Sequence, residues 1–360
     1  MKKKLVEWVS RNQRHLTAVV FLGSFVLDNL TLSRADVPWI NMLFVAYLII
    51  AAISILIIHF RVGKRSEGKK KSSRVPVDAI IMLIGQFFLG GLLSGCFIFY
   101  FRAADFWVSW PFVVLLGLIF IGSEFLHKYK EQLAFQCSLL FLTLYAYSIF
   151  ALPIATGKMN GLVFLGSAAA SLVLFAGFVV LLFVIDRVRL LESLRWLVMG
   201  IGSILVFVNV CYFTGILPPL PLALKDVGIY HSLTHASTGY TVETENRPFK
   251  LFGPQVVHHV AGDPLFAYSA VFAPIQLSTG IAHRWEYFDP QKRAWVTTAL
   301  VEFPISGGRD NGYRGYSEAY AIVPGQWRIS IETSSGQIIG RQRFDVVDVP
   351  VEPITNTETK

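Results

Sequence analysis

Seven apolar runs, at about 16–32, 38–60, 79–101, 108–126, 133–152, 162–185 and 197–217, dominate the first 217 residues of this chain. Crossing a hydrocarbon core takes about 20 such residues wound as a helix, since lipid offers the backbone no hydrogen-bond partner. The runs therefore predict a transmembrane all-α bundle of about seven helices. The composition agrees: 54% of residues are hydrophobic and 16% charged, where a soluble domain carries about a quarter charged.

A formal net charge of +8 would suggest nucleic acid in a soluble protein. Residues 1–224 hold 20 Lys and Arg against 10 Asp and Glu, whereas residues 225–360 hold 12 against 14. The basic excess belongs to the apolar half and gives no reason to expect a nucleic-acid partner. It is distributed unevenly between alternate connections, and cytoplasmic connections carry the excess of Lys and Arg. One side holds 17: Lys2, Lys3, Lys4, Arg11 and Arg14; Arg61, Lys64, Arg65, Lys69, Lys70, Lys71 and Arg74; Lys128 and Lys130; Arg187, Arg189 and Arg195. The other holds 3, namely Arg34, Arg102 and Lys158. This places the amino terminus in the cytoplasm of a bacterial inner membrane and, after seven crossings, the carboxyl-terminal part in the periplasm. The basic start leads into an apolar run without a small-residue cleavage site, so the first run is expected to be retained. The run around Lys69–Lys71 reads chiefly as a topology determinant, with attraction to anionic lipid as its alternative.

Pro218, Pro219 and Pro221 end the last apolar run, because proline cannot continue a helix. From Tyr240 the pattern changes to short runs rich in β-branched and aromatic residues, punctuated by Gly, Pro, Asn and Asp. Strands are expected at about 240–245, 265–273, 281–288, 295–303, 316–323, 326–332 and 337–346. Seven strands in this length suggest an immunoglobulin-like sandwich. The expected organisation is thus a basic amino terminus at 1–15, a seven-helix domain at 16–217, a juxtamembrane linker at 218–239, a β-sandwich at 240–349 and a disordered tail at 350–360. Cys96, Cys137 and Cys211 all lie in apolar runs, which predicts packing roles and a β domain free of disulfides.

The segment His283-Arg284-Trp285, followed by Gly307-Gly308-Arg309, Gly312-Tyr313-Arg314-Gly315-Tyr316, Pro324-Gly325-Gln326-Trp327-Arg328, Glu332-Thr333, Gly336 and Ile339-Gly340, resembles a bacterial domain of unknown function, number 2914. Gly23-Ser24-Phe25, Asp28, Leu30-Thr31-Leu32 and Arg34 are similar to the first helix that often precedes that domain. The resemblance implies a multi-helix anchor with an exported β domain. It supplies no substrate, cofactor or catalytic residue.

The densest chemistry lies around Gly307, Gly308, Gly312 and Gly315, which surround Arg309, Asp310, Tyr313, Arg314 and Tyr316. Glycines permit positive φ and close backbone approach, so the arginines and tyrosines could be presented to a ligand or partner. Guanidinium groups suit carboxylate or phosphate, and aromatic faces suit sugar rings or protein side chains. Trp285 and Trp327 complete this expected surface; the competing reading is a hairpin loop whose arginines pair internally. His231 and His235 lie four residues apart, as on one helix face, and are weak zinc candidates without a third ligand. His283 reads as a strand residue with a structural hydrogen bond. No Gly-x-Ser-x-Gly motif is present in the sequence, and no catalytic residue, metal or other cofactor is assigned. Inside the apolar half, Asp28 and Glu124 are the ionisable candidates for an ion pathway, although both lie near helix ends. Gly91-x-x-x-Gly95 and Gly166-x-x-x-Ala170 predict close helix packing.

The expectation is a polytopic inner-membrane protein, bathed in lipid, whose periplasmic β-sandwich binds an envelope protein or glycan without catalysing a reaction. The alternatives are a transporter or channel subunit with an accessory domain, and a membrane enzyme acting on lipid-linked sugars.

Overall fold

The computed structural model describes residues 25–32, 37–67, 75–125, 132–236, 239–245, 254–351 and 353–360. The chain divides into a helical unit, residues 1–102, 110–155 and 161–214, and a β unit, residues 103–109, 156–160 and 215–360.

In the helical unit a short helical segment at 25–31 precedes α1 (Pro38–Glu67), α2 (Val75–Ala103), α3 (Phe106–Phe125), α4 (Leu133–Thr156), α5 (Gly161–Ile185) and α6 (Arg187–Phe213). Five of these, all but α3, are long and apolar enough to cross a membrane; the apolar part of α3, Trp107–Ser123, is shorter. Of the about seven spans expected, five are thus long enough among the described residues, and only part of the first run is described. A correction concerns Arg187, Arg189 and Arg195, which lie inside α6 rather than in a loop. Asp186 caps that helix by accepting a hydrogen bond from Arg189 N at 3.3 Å, satisfying one of the amides that a helix start leaves unpaired.

Packing follows the small residues. A Cβ at Gly91 would stand 2.8 Å from the Tyr47 ring and one at Gly95 2.5 Å from Phe44, so only glycine lets α1 aromatics lie against α2. Phe44 also packs with Phe99, Tyr147 and Phe150. At Gly166 a Cβ would make only ordinary contact, with Leu152 at 3.4 Å. Some polar groups find partners between the helices: Tyr100 donates to Ala146 O at 3.1 Å and Asn209 to the Tyr145 hydroxyl at 3.3 Å. Many outward side chains are apolar, with Leu162, Val173 and Val184 all exposed.

The β unit contains β1 (Ala223–Tyr230), β2 (Ser232–Ala236), β3 (Gly239–Glu245), β4 (Gln255–His259), β5 (Leu265–Phe272), β6 (Ser278–Asp289), β7 (Ala294–Ser306), β8 (Tyr313–Ala319), β9 (Gly325–Thr333), β10 (Ile338–Asp348) and β11 (Thr355–Thr359). Three sheets form, with orders β1-β5-β8, β4-β10-β9-β6-β7 and β11-β3-β2. Only the β4–β10 pair is parallel.

The first two sheets share one core. Ile229, Ala267 and Val271 come from the three-stranded side, and Ile281, Trp285, Trp327, Ile329, Ile331, Phe344 and Val346 from the five-stranded side. Alternation along β9 causes this, since side chains two residues apart point to one face. The two indoles satisfy their N–H groups inside: Trp285 donates to Ser317 Oγ at 2.9 Å and Trp327 to Val323 O at 2.8 Å. The third sheet covers the outer side of β1-β5-β8 through Tyr230, Leu233, Val242, Tyr268 and Ala270.

Two expected boundaries change. The segment 218–239 is not a linker, because β1 pairs along β5 and β2 along β3. Nor is the tail disordered: β11 pairs with β3, and Lys360 exchanges backbone hydrogen bonds with Tyr240 at 2.8 and 3.0 Å. A free strand edge is a row of unpaired amides and carbonyls, and the polar tail fills it.

Candidate binding surfaces

Between β7 and β8 the glycine-rich loop is strapped to the β5–β6 connection. Gly307 N donates to Leu277 O at 3.0 Å and Gly308 N to Ala273 O at 3.1 Å. A Cβ at Gly307 would collide with the carbonyl oxygen of Pro274, which explains glycine there by close approach. The strap fixes Arg309 and Asp310 in exposed positions, with the Arg309 guanidinium 5.1 Å from the Tyr313 ring centroid. Arg314 and Tyr316 then emerge from the outer face of β8.

Tyr316 packs on Tyr240 of β3, which sequence reasoning did not select. The Tyr240 ring packs against His235, Tyr268 and Tyr316 at centroid distances of 5.2, 6.0 and 5.7 Å. Its hydroxyl is pushed up, first by burial and then by Tyr316 and Tyr313, against the opposing charges of Arg309 and Arg314. Burial also pushes Tyr268 up to about 12. Five of the seven predicted surface residues thus lie about the loop and β8. Trp285 and Trp327 do not: they are 0% and 1% exposed, their apolar area is spent in the core, and they cannot meet a partner. Tyr240 was legible only as the start of a strand, because its pairing with the carboxyl-terminal residue is a long-range fact.

The expected helical pair His231 and His235 is not helical. His231 lies at a bend and His235 in β2. His231 Nε2 instead meets Glu245 Oε1 at 2.9 Å, while His258 Nδ1 meets Glu245 Oε2 at 2.6 Å and His258 N donates to Oε1 at 2.7 Å. Burial raises the Glu245 carboxyl, but these bonds outweigh it and hold the group below the usual range. Among the described residues no group of three or more His, Cys, Asp or Glu side chains is arranged to hold a metal.

His283 has the structural role expected. It is fully buried, with Nε2 bonded to Ser269 Oγ at 2.7 Å and Nδ1 to Ser317 Oγ at 2.9 Å. Burial pushes its imidazole down to about 4, so it is neutral near pH 7. Ser269 and Ser317 are buried too, which leaves this serine–histidine group out of reach of substrate.

On the outer face of the five-stranded sheet lies a charged ladder that the sequence pattern contained but sequence reasoning passed over. Arg328 holds Glu286 with two bonds of 2.6 and 2.7 Å, Ser330 donates to Glu286 at 3.1 Å, and Arg341 Nε donates to Ser330 Oγ at 3.0 Å. Arg284 pairs in the same way with Glu332. Burial raises the Glu286 carboxyl, yet Arg328, Ser330 and Arg341 together hold it below its ordinary range. The Arg328 guanidinium also lies 4.4 Å from the Trp295 ring centroid, with Arg343 at 6.0 Å. Beside this ladder opens a cavity of about 560 Å³, lined among others by Trp295, Gln326, Arg341, Gln342, Arg343 and Asp345, and by Trp107 of the 103–109 segment. Alternation of Arg284 with Glu286, of Arg328 with Glu332, and of Arg341 with Arg343 was the available signal.

In the helical unit Asp28 is buried, and Arg102 donates to Asn29 Oδ1 at 2.8 Å and to the Leu32 carbonyl. The Glu124 side chain and Lys69–Lys71 lie outside the described residues. Sequence reasoning missed His59 and Asp186, both buried in this unit. All three cysteines are buried and free.

Residues 278–346 match the sequence profile of a family described as a protein of unknown function (DUF2914). No curated protein matches the chain. Among solved structures, a β-glucosidase from Listeria innocua is 13% identical over 34% of this chain and 16% of its own, with a TM-score of 0.21. An immunoglobulin-like protein from Pseudomonas aeruginosa is 10% identical over 35% of this chain and 96% of its own, with a TM-score of 0.21. An alkylpurine DNA glycosylase from Pseudomonas fluorescens is 10% identical over 85% and 98%, with a TM-score of 0.22. At these TM-scores the likenesses carry no inference about fold or activity.

Proposed function

We propose that this chain is a multi-pass protein of the bacterial inner membrane that carries a periplasmic, immunoglobulin-like β-sandwich and binds an envelope protein without catalysis. Five long apolar helices with apolar outward side chains support membrane insertion, and the 17-to-3 distribution of Lys and Arg supports a cytoplasmic amino terminus. The observation that carries the binding role is the packing of exposed Tyr316 on Tyr240, beside a strapped loop that presents Arg309 over the Tyr313 ring. Tyrosine and arginine are enriched among the few residues that dominate protein–protein affinity, because each combines a large apolar area with a directed polar group.

The test is site-specific photocrosslinking in living cells, with the probe at Tyr316 and, as a control on the other sheet, at Leu300. The reading expects one discrete envelope-protein adduct from position 316 that disappears in the Arg309→Ala/Arg314→Ala variant. An identical adduct pattern from both positions, or one indifferent to the double substitution, overturns it.

A further inference from the structure

The cavity on the five-stranded sheet is a different place from the Tyr240 surface and calls for its own explanation. In register, Arg343 of β10 stands directly opposite Arg328 of β9, and Arg341 opposite Ser330. Like charges directly opposite on neighbouring strands are destabilising. Glu286 neutralises only Arg328, with which it forms the two-bond pair. Among the described residues neither Arg341 nor Arg343 has a carboxylate within salt-bridge distance; Arg341 bonds a serine and Arg343 faces an indole. Burial and the charge of Arg328 both work against the Arg341 cation, while Glu286 and Asp105 favour it only from a distance. A local rule broken without compensation marks a functional position more often than a defect.

The rest of the lining narrows what would relieve this. Asp345 supplies an acceptor and Gln326 an exposed amide at the same cavity, and Trp295 an aromatic surface. At about 560 Å³ the space falls within the range of small-molecule sites.

A fitting molecule must present an anionic oxygen group to two guanidinium forks, a hydroxyl donor to Asp345, and a C–H face to an indole. We propose that this cavity is a binding site for an acidic saccharide, a sugar bearing a carboxylate or phosphate. The site stands on a different face from the protein-binding surface and does not depend on it.

The experiment is isothermal titration of the full chain, held in a detergent without a sugar headgroup, with four probes: trigalacturonate, glucose 1-phosphate, neutral cellotriose and inorganic phosphate. Saturable binding of trigalacturonate or glucose 1-phosphate is expected, at least tenfold tighter than cellotriose and inorganic phosphate. Arg343→Ala, at an exposed position where folding is not at stake, should weaken it at least tenfold. Arg309→Ala/Arg314→Ala should leave it unchanged, which separates failure here from failure of the protein-binding surface. Absence of saturable binding by both acidic sugars, binding undiminished in Arg343→Ala, or equal affinity for inorganic phosphate overturns the assignment.

Discussion

The two outer faces of the β sandwich meet water in opposite ways. The three-stranded side is roofed by backbone: β2, β3 and β11 lay a further sheet over Tyr230, Tyr268 and Ala270. Among the described residues no further sheet covers the five-stranded side. There Glu286 and Glu332 are each only 6% exposed, covered by the arginines that pair with them. A β sheet whose outer face is neither polar nor covered invites association, and this chain uses both remedies in one domain. The difference teaches where recognition can sit: on the roofed side at the rim, where Tyr316 emerges beside Tyr240, and on the open side within the ladder, where Arg341 and Arg343 exceed the available carboxylates.

If the ladder is held as described, removing one partner of its buried pair should have the largest effect. Glu286→Ala is expected to cost about 3–5 kcal/mol, because Arg328 is left buried without its carboxylate. Denaturant unfolding of the intact protein measures this, and a loss below about 1 kcal/mol would show that solvent already screens the pair. Replacing both partners, Glu286→Leu with Arg328→Met, should recover most of that loss.

The sandwich interior between the two faces has its own signature. His283 is pushed down to about 4, so the unfolded chain, with an imidazole near 6.5, takes up the proton first. Its contribution is therefore present in full above about pH 6.5 and is lost as pH falls toward about 4, on the order of 3 kcal/mol in all. Stability curves for the parent and for His283→Gln should diverge across that window; parallel curves would refute the assignment. Glu245 adds a second acid-sensitive term with the carboxylate sign, present above its ordinary range and lost at lower pH as the carboxylate protonates.

On the roofed face the effect should be smaller. Val242→Ala, at a fully buried position under the third sheet, is expected to cost about 2 kcal/mol from lost burial and a small cavity. A neutral result would mean that the roof is not packed. Smallest of all, Arg309→Ala at the exposed loop should change stability by less than about 0.5 kcal/mol while abolishing the crosslink from position 316. That pairing of a silent thermal profile with lost binding separates a recognition residue from a structural one.

Much of the architecture was legible because it rests on local periodicity. All seven expected strands are present as β3 and β5 to β10, with ends shifted by a few residues. The four others share a physical reason for being missed. β1 carries Asp226 and Gly228, β2 and β4 are five residues each, and β11 is polar. Each is held by pairing with distant backbone rather than by an apolar stripe of its own. At the candidate surfaces, Arg309, Arg314 and Tyr316 stand out through their glycine context, whereas Trp285 and Trp327, expected at a surface, are buried. An indole reads the same in sequence whether it faces a partner or the core.

By itself the sequence determined that this chain has an apolar helical part and a β part, because helix length and strand alternation are written in consecutive residues. Tertiary structure alone decided that β1, β2 and β11 are strands, that Tyr316 packs on Tyr240, and that Arg343 faces Arg328 across a strand pair. These are contacts between residues far apart in the chain, fixed by register and by which side of a sheet is buried, and no local pattern encodes them.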